Sequence, residues 1–79
     1  MNPKRFHLTV HVQRRVSERG LSVQALTDVV KYAHTRQKQY LGEHGGTVFR
    51  FSKTVGGVKL TAVAEVKGQD CWLVTGFYG

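Results

Sequence analysis

The chain contains few of the residues that cross-link or interrupt a fold, with one cysteine and one proline among its 79 residues. A single cysteine, Cys71, forms no intramolecular disulfide, and this pattern is typical of a reducing compartment. No apolar run approaches the roughly 20 residues of a membrane-spanning helix. No apolar segment follows the basic residues Lys4 and Arg5, as it would in a signal peptide. The sequence therefore predicts a cytoplasmic protein with no membrane association.

Acidic residues are also scarce. Twelve lysines and arginines stand against five aspartates and glutamates, which gives a formal net charge of +7 and an isoelectric point near 10.1. Most of the excess lies in residues 1–38, which hold eight basic and two acidic side chains. A basic half on a small domain is the usual electrostatic footprint of nucleic-acid binding, and an acidic protein partner fits it equally well.

The sequence offers little that would hold a metal ion or a cofactor. His7 and His11 have a helical spacing, but no nearby carboxylate or thiol completes a metal site. The glycine pairs Gly45-Gly46 and Gly56-Gly57 lie where hairpin turns are expected and are not phosphate-binding loops. We therefore expect neither a metal nor a cofactor.

The period of the apolar residues changes from near four to two along the chain. Thr9 is a suitable N-cap for a helix over about residues 10–19 that Gly20 ends, and Ser22 caps a second helix over about residues 23–34. Four strands follow with short links, over residues 35–41, 47–52, 58–66 and 71–78. These features predict one α+β domain over residues 1–79, in which two N-terminal helices pack on one face of a four-stranded antiparallel meander sheet. The other face would be open.

Strict alternation along each strand predicts which side chains share a face of the sheet. In the first strand one face carries Arg36, Lys38 and Tyr40. The second strand separates Phe49 and Phe51 from Val48 and Arg50, and the third separates Leu60, Ala62, Ala64 and Val66 from Thr61, Val63 and Glu65. In the fourth strand Cys71, Leu73, Thr75 and Phe77 share one face.

Three charged or titratable residues near the N-terminus, His11, Arg15 and Arg19, are spaced by four. On a helix this spacing places them along one side, next to the apolar stripe that contains Val12 and Val16. Such groups are costly to desolvate unless something pairs with them. Two explanations remain open: internal carboxylates or carbonyls satisfy them, or they line a cleft that receives an anion.

The string Thr9-x-His11-x-x-x-Arg15-x-x-x-Arg19-Gly20-Leu21-Ser22 resembles the opening signature of the bacterial domain of unknown function numbered 4258. The later apolar strands, with the step Val74-Thr75, also fit that family. The family is similar in architecture to the small RelE, ParE and BrnT toxins and to the barnase, EndoU, colicin D and RelE group of metal-independent ribonucleases. The resemblance implies a RelE-like or barnase-like α+β fold and RNA cleavage, although the group includes members that do not cleave RNA.

Cleavage of RNA without a metal requires a base for the 2′-hydroxyl, an acid for the leaving oxygen and cations for the phosphate. We predict His11 as the acid or base, the alternative being a half-buried histidine bonded to a backbone carbonyl. Arg15 and Arg19 would clamp the phosphate, and Thr75 and Tyr78 would bind phosphate or carry protons. The other histidines are predicted to be less important: His7 as an exposed residue before the helix, His34 at the C-terminus of the second helix, and His44 as a solvated turn residue.

The resulting hypothesis is a metal-independent endoribonuclease toxin of a toxin–antitoxin or related bacterial system. Its partners would be RNA and an acidic antitoxin or immunity protein. The predicted RNA-binding residues are Arg36, Lys38, Tyr40, Arg50 and Lys59. The alternative is a non-catalytic module with a basic surface that binds RNA or a protein.

Overall fold

The computed structural model describes residues 3–79, which form a mixed five-stranded sheet and two helices. The elements are β1 (Arg5–Leu8), α1 (Val10–Arg19), α2 (Val23–Lys31), β2 (Thr35–Leu41), β3 (Thr47–Val55), β4 (Val58–Lys67) and β5 (Asp70–Tyr78). The strand order is β1-β5-β4-β3-β2. Strands β2 to β5 form the predicted antiparallel meander, whereas β1 pairs in parallel with β5. The α+β class is confirmed, and the prediction of only four strands is wrong.

The helix caps follow the local sequence rules. The Thr9 hydroxyl accepts a hydrogen bond from the backbone nitrogen of Val12 at 3.1 Å, and Gly20 ends α1 in the left-handed conformation with φ of 62°. Ser22 caps α2 in the same way. Helix α2 ends at Lys31, earlier than predicted, because the chain leaves helical geometry at Tyr32. His34 is therefore not a helix-terminal residue, and its backbone nitrogen instead donates to the carbonyl of Ser52.

Strand β1 is the element that the sequence did not predict. Its four residues alternate polar and apolar side chains, but so short a run does not by itself predict a strand, and only Phe6 is partly buried. The strand is positioned by distant partners, since the backbone nitrogens of Lys4 and Arg5 both donate to the carbonyl of Gln69, at 2.8 and 2.9 Å. Phe6 then pairs with Cys71, which places its ring against the core.

Both helices pack on one face of the sheet, as predicted. The buried core combines residues of α1 and α2 with the facing side chains of the strands, namely Val12, Leu26, Val29, Val30, Phe51, Ala62, Ala64, Val66, Cys71 and Leu73. The close approach of α2 requires a glycine at position 76, because a Cβ there would lie 2.5 Å from the side chain of Leu26. Burial raises the pKa of the Cys71 thiol to about 12, which agrees with its prediction as a small packed hydrophobe. No helix within residues 3–79 is long and apolar enough to cross a membrane.

A register shift in β2 corrects the predicted alternation of that strand. Arg36 pairs with Phe51 and Lys38 pairs with Phe49, so these two basic residues lie on the face that carries the helices. The register shifts between Lys38 and Tyr40. Tyr40 therefore lies on the opposite face of the sheet, which we call the open face.

A second register shift lies between β4 and β5. Val63 pairs with Thr75, but the next residue, Ala64, pairs with Leu73, so Val74 is the extra residue of a bulge. Thr75 consequently lies on the open face with Val63, and not on the face of Leu73 as strict alternation predicted. The predicted faces of β3 and β4 are confirmed.

Candidate functional site

A groove with a volume of about 380 Å³ crosses the open face of the sheet. One wall comes from the start of α1, on the β5 side, and the other comes from the end of β2 and the turn that follows it. We call this depression the open-face groove. Its walls are Thr9 and His11 on one side and residues 40–44 on the other, and its floor is Val48, Glu65, Trp72 and Val74.

Glu65 is a carboxylate buried in the floor, with 3% of its surface exposed. It accepts three hydrogen bonds: from the backbone nitrogen of His44 at 2.9 Å, from the His44 ring Nδ1 at 2.9 Å and from the backbone nitrogen of Gly46 at 2.8 Å. Burial acts to raise the pKa of Glu65, but the bonds from the His44 ring and from the Gly46 and His44 backbone outweigh it and lower the pKa. The side chain is therefore ionised at neutral pH.

His44 is held in one orientation, so its prediction as a merely solvated turn residue is wrong. An ionised carboxylate only accepts hydrogen bonds, so Nδ1 of His44 must be protonated and must donate the hydrogen bond to Glu65. The other ring nitrogen, Nε2, makes no hydrogen bond within residues 3–79. The ring also stacks on Trp72, with centroids 4.1 Å apart and planes inclined by 6°. A histidine with Nδ1 fixed by a carboxylate and Nε2 free has the arrangement used in general acid–base catalysis.

Two glycines allow the turn after β2 to fold over Glu65. A Cβ at Gly42 would collide with the carboxyl group of Glu65, and a Cβ at Gly46 would lie 2.6 Å from the carbonyl oxygen of Val66. The backbone nitrogen of Gly42 also donates to the carbonyl of Gly46 at 2.9 Å, which closes the turn. The close approach of this backbone to the carboxylate therefore requires residues without side chains.

The opposite side of Trp72 faces a second paired histidine. His7 of β1 stacks on the indole with centroids 5.1 Å apart, and its Nε2 lies 2.9 Å from Oδ1 of Asp70. Arg5 donates to both carboxylate oxygens of Asp70. The hydrogen bonds from Arg5 and then from His7 hold the pKa of Asp70 well below its usual range. The prediction of His7 as an unimportant exposed residue is therefore corrected, because β1 brings it into this cluster.

His11 lies on the wall of the open-face groove, as the anion-cleft explanation requires. It is exposed, and its ring makes no hydrogen bond within residues 3–79. The alternative of a half-buried histidine bonded to a carbonyl is therefore wrong. His11 and His44 lie on different walls of one groove.

Comparison of the chain with protein-family models, curated protein sequences and solved structures finds no match.

The two arginines predicted to clamp phosphate are bonded to other groups of the protein. Nη1 of Arg15 donates to the Glu18 carboxylate at 2.7 Å, and Nη1 of Arg19 donates to the carbonyl of Gly76 at 2.7 Å. Neither lines the open-face groove. The internal-partner explanation therefore fits Arg19, whereas Arg15 forms an exposed ion pair within α1.

The remaining predicted residues are dispersed. Thr75 lies on the open face outside the groove, and Tyr78 borders a separate apolar depression with Val55 and Val58. Among the predicted RNA-binding residues only Tyr40 lines the groove. Arg50 lies on the open face with its guanidinium 5.8 Å from the Phe77 ring, Lys59 is exposed near the β3–β4 turn, and Arg36 and Lys38 lie on the helix-bearing face.

Sequence reasoning missed Glu65, Trp72 and the role of His44. The signal for Glu65 was present as the one acidic residue in a strand of small and aliphatic side chains, but alternation placed it on a face expected to be solvated. Within residues 3–79 no group of three or more histidine, cysteine, aspartate or glutamate side chains comes together as a metal site. What the groove offers chemically is two histidines, one of them fixed by a buried carboxylate.

Proposed function

We propose that the protein is a metal-independent endoribonuclease and that the open-face groove is its active site. The observation that carries the proposal is the placement of His11 and His44 on two walls of one groove, with Nδ1 of His44 bonded to the buried Glu65 carboxylate. The net charge of +7 supports an anionic substrate.

In the proposed reaction the 2′-oxygen of RNA attacks the adjacent phosphorus and the bond to the 5′-oxygen breaks. Nε2 of His44 takes the proton of the 2′-hydroxyl, and Glu65 stabilises the imidazolium that forms. Protonated His11 gives its proton to the departing 5′-oxygen. The products are a 2′,3′-cyclic phosphate and a 5′-hydroxyl end, so atoms and protons balance without a co-reactant.

A cation beside the groove supports binding of the phosphate. Nζ of Lys67 lies 3.2 Å from the carbonyl oxygen of His44 and is exposed to solvent. This lysine takes the place in the proposal that Arg15 and Arg19 had in the sequence prediction, because it contacts a residue of the groove wall and the two arginines do not line the groove.

The first test compares RNA and DNA of one single-stranded sequence, each incubated with the purified protein in the presence of EDTA. We expect the RNA to be cut to products with cyclic phosphate ends and the DNA to stay intact, because DNA lacks the attacking 2′-hydroxyl. Gel electrophoresis and mass spectrometry of the products measure both. RNA left intact by the folded protein, or equal cleavage of the DNA, would contradict the proposed reaction.

The second candidate function is RNA binding without cleavage, which the basic charge and the absence of Arg15 and Arg19 from the groove favour, because cleavage needs cations at the phosphate. Both functions predict that RNA affinity falls as salt rises, with a log–log slope of roughly −0.7 for each phosphate neutralised on a single strand. Fluorescence anisotropy of a labelled RNA across a salt series measures the slope. An affinity that does not change with salt would argue against both functions, and salt-dependent binding without cleavage would favour the second.

We also propose that an acidic antitoxin or immunity protein binds this basic protein in the cell. An acidic partner would associate fastest at low salt and would shield the groove from RNA. Inhibition of RNA cleavage by a co-purifying acidic protein would support this assignment.

A further inference from the structure

We propose that the open-face groove receives one unstacked nucleobase of single-stranded RNA against the ring of Tyr40. This inference rests on the proposed function for the class of ligand, and it names the residue that holds the base. Tyr40 is 59% exposed although it faces the groove, and its neighbour Leu41 is 78% exposed. With Val48 and Val74 on the floor, these side chains give one part of the groove an apolar character suited to a flat ring.

Trp72 is the larger aromatic residue in the groove, but its faces are already occupied. His7 stacks on it from the β1 side, and His44, which is held over Glu65 of β4, stacks on it from the other side. Because β5 lies between β1 and β4, the two imidazoles enclose the indole. A base therefore cannot stack on Trp72 without displacing a histidine that is bonded to a carboxylate.

Tyr40 has no such partners. Within residues 3–79 its ring stacks on no other aromatic ring, and its hydroxyl makes no hydrogen bond. The register shift between Lys38 and Tyr40 is what turns this ring onto the open face, where it pairs across the sheet with Val48. A bulge at the edge of a sheet often re-aims a side chain in this way.

The charges on the walls distinguish a base from a phosphate. Glu43 lies on the same wall as Tyr40 and has no ion pair within residues 3–79, so its carboxylate repels a phosphate there. His11 lies on the opposite wall. A nucleotide that enters the groove is therefore expected to place its base towards Tyr40 and its phosphate away from Glu43, towards His11. Stacking of a base on an aromatic side chain also tolerates any base, which predicts little sequence preference from this contact.

The test measures binding of a short single-stranded RNA whose 2′-oxygens are methylated, so that it cannot be cleaved, and of the same strand with its bases removed. We expect Tyr40→Ala to bind the intact strand about tenfold more weakly than the parent, and Tyr40→Phe to bind like the parent because it keeps the ring. The abasic strand should bind the parent and Tyr40→Ala equally. Tyr32→Ala is the matched control, since Tyr32 is 63% exposed and lies outside the groove.

The inference is overturned if Tyr40→Ala binds the intact strand as tightly as the parent, if the parent binds the abasic strand as tightly as the intact one, or if the parent binds neither. Cleavage of unmodified RNA tests the proposed function separately. Cleavage by the parent together with Tyr40-independent binding leaves the ribonuclease proposal standing without the base site. Binding that depends on Tyr40, with no cleavage, retains the base site and removes the catalytic proposal.

Discussion

Replacing His44 by alanine is expected to lower the rate of RNA cleavage by about 10²–10⁴-fold, the usual cost of losing a general acid or base. His11→Ala is expected to have an effect of similar size, because the proposed reaction needs a proton donor as well as an acceptor. Alanine is the best helix former, so α1 should tolerate His11→Ala, and Val12 still anchors the helix in the core. Rates measured with a labelled RNA under single-turnover conditions report the chemical step for each variant.

His34→Ala is the matched control for the loss of a histidine. His34 is exposed, lies outside the open-face groove, and its Nδ1 accepts one hydrogen bond, from the backbone nitrogen of Thr54 at 3.2 Å. Its cleavage rate should equal that of the parent. If folded His44→Ala and His11→Ala cut RNA as fast as His34→Ala, the two histidines are not the catalytic pair. Thermal melting of each variant separates lost chemistry from lost structure.

Glu65→Ala is expected to destabilise the fold by about 3 kcal/mol or more, because three hydrogen bonds to a charged acceptor are lost and a buried backbone nitrogen, that of Gly46, loses its partner. For a domain of this size each kcal/mol shifts the melting temperature by about 4–8 °C, so a fall of at least about 12 °C should be measured. Glu43→Ala is the matched control, since Glu43 is an exposed residue of the same turn. It should change stability by no more than about 0.5 kcal/mol.

The stabilisation by Glu65 should also depend on pH with a defined sign. Because folding lowers the pKa of Glu65 below its ordinary value of 4.5, its contribution is fully present above that pH and is lost as the pH falls through the lowered value. Urea unfolding at a series of acidic pH values should show the parent losing stability more steeply than Glu65→Ala. Asp70, whose pKa is also lowered, makes the free energy of unfolding of both proteins fall at acidic pH to the same extent. Equal stability of parent and variant at neutral pH, or parallel acid profiles, would show that Glu65 does not hold the turn.

The elements of the fold that are governed by neighbouring residues could be predicted from the sequence. Thr9, Ser22 and Gly20 set the helix ends through bonds and backbone angles within a few residues, and the period of two in β3 and β4 fixed which side chains enter the core. Strand β1 could not be predicted in this way. Its four residues alternate polar and apolar, but so short a run does not reveal the parallel partner β5, which lies at the other end of the chain.

The residues of the candidate site also differ in whether the sequence or the tertiary structure determined their positions. The sequence by itself determined that His11 lies on a capped helix beside the apolar stripe, because it directly precedes Val12, the buried residue of that helix. Only the tertiary structure decided that His44 meets Glu65, which lies 21 residues further along the chain, and that Tyr40 faces the groove while Arg36 does not. The contact between His44 and Glu65 depends on a turn closing over a distant strand. The orientation of Tyr40 depends on a one-residue change of register. Both are properties of how strands pair, and pairing is fixed by the assembled sheet and not by any one segment.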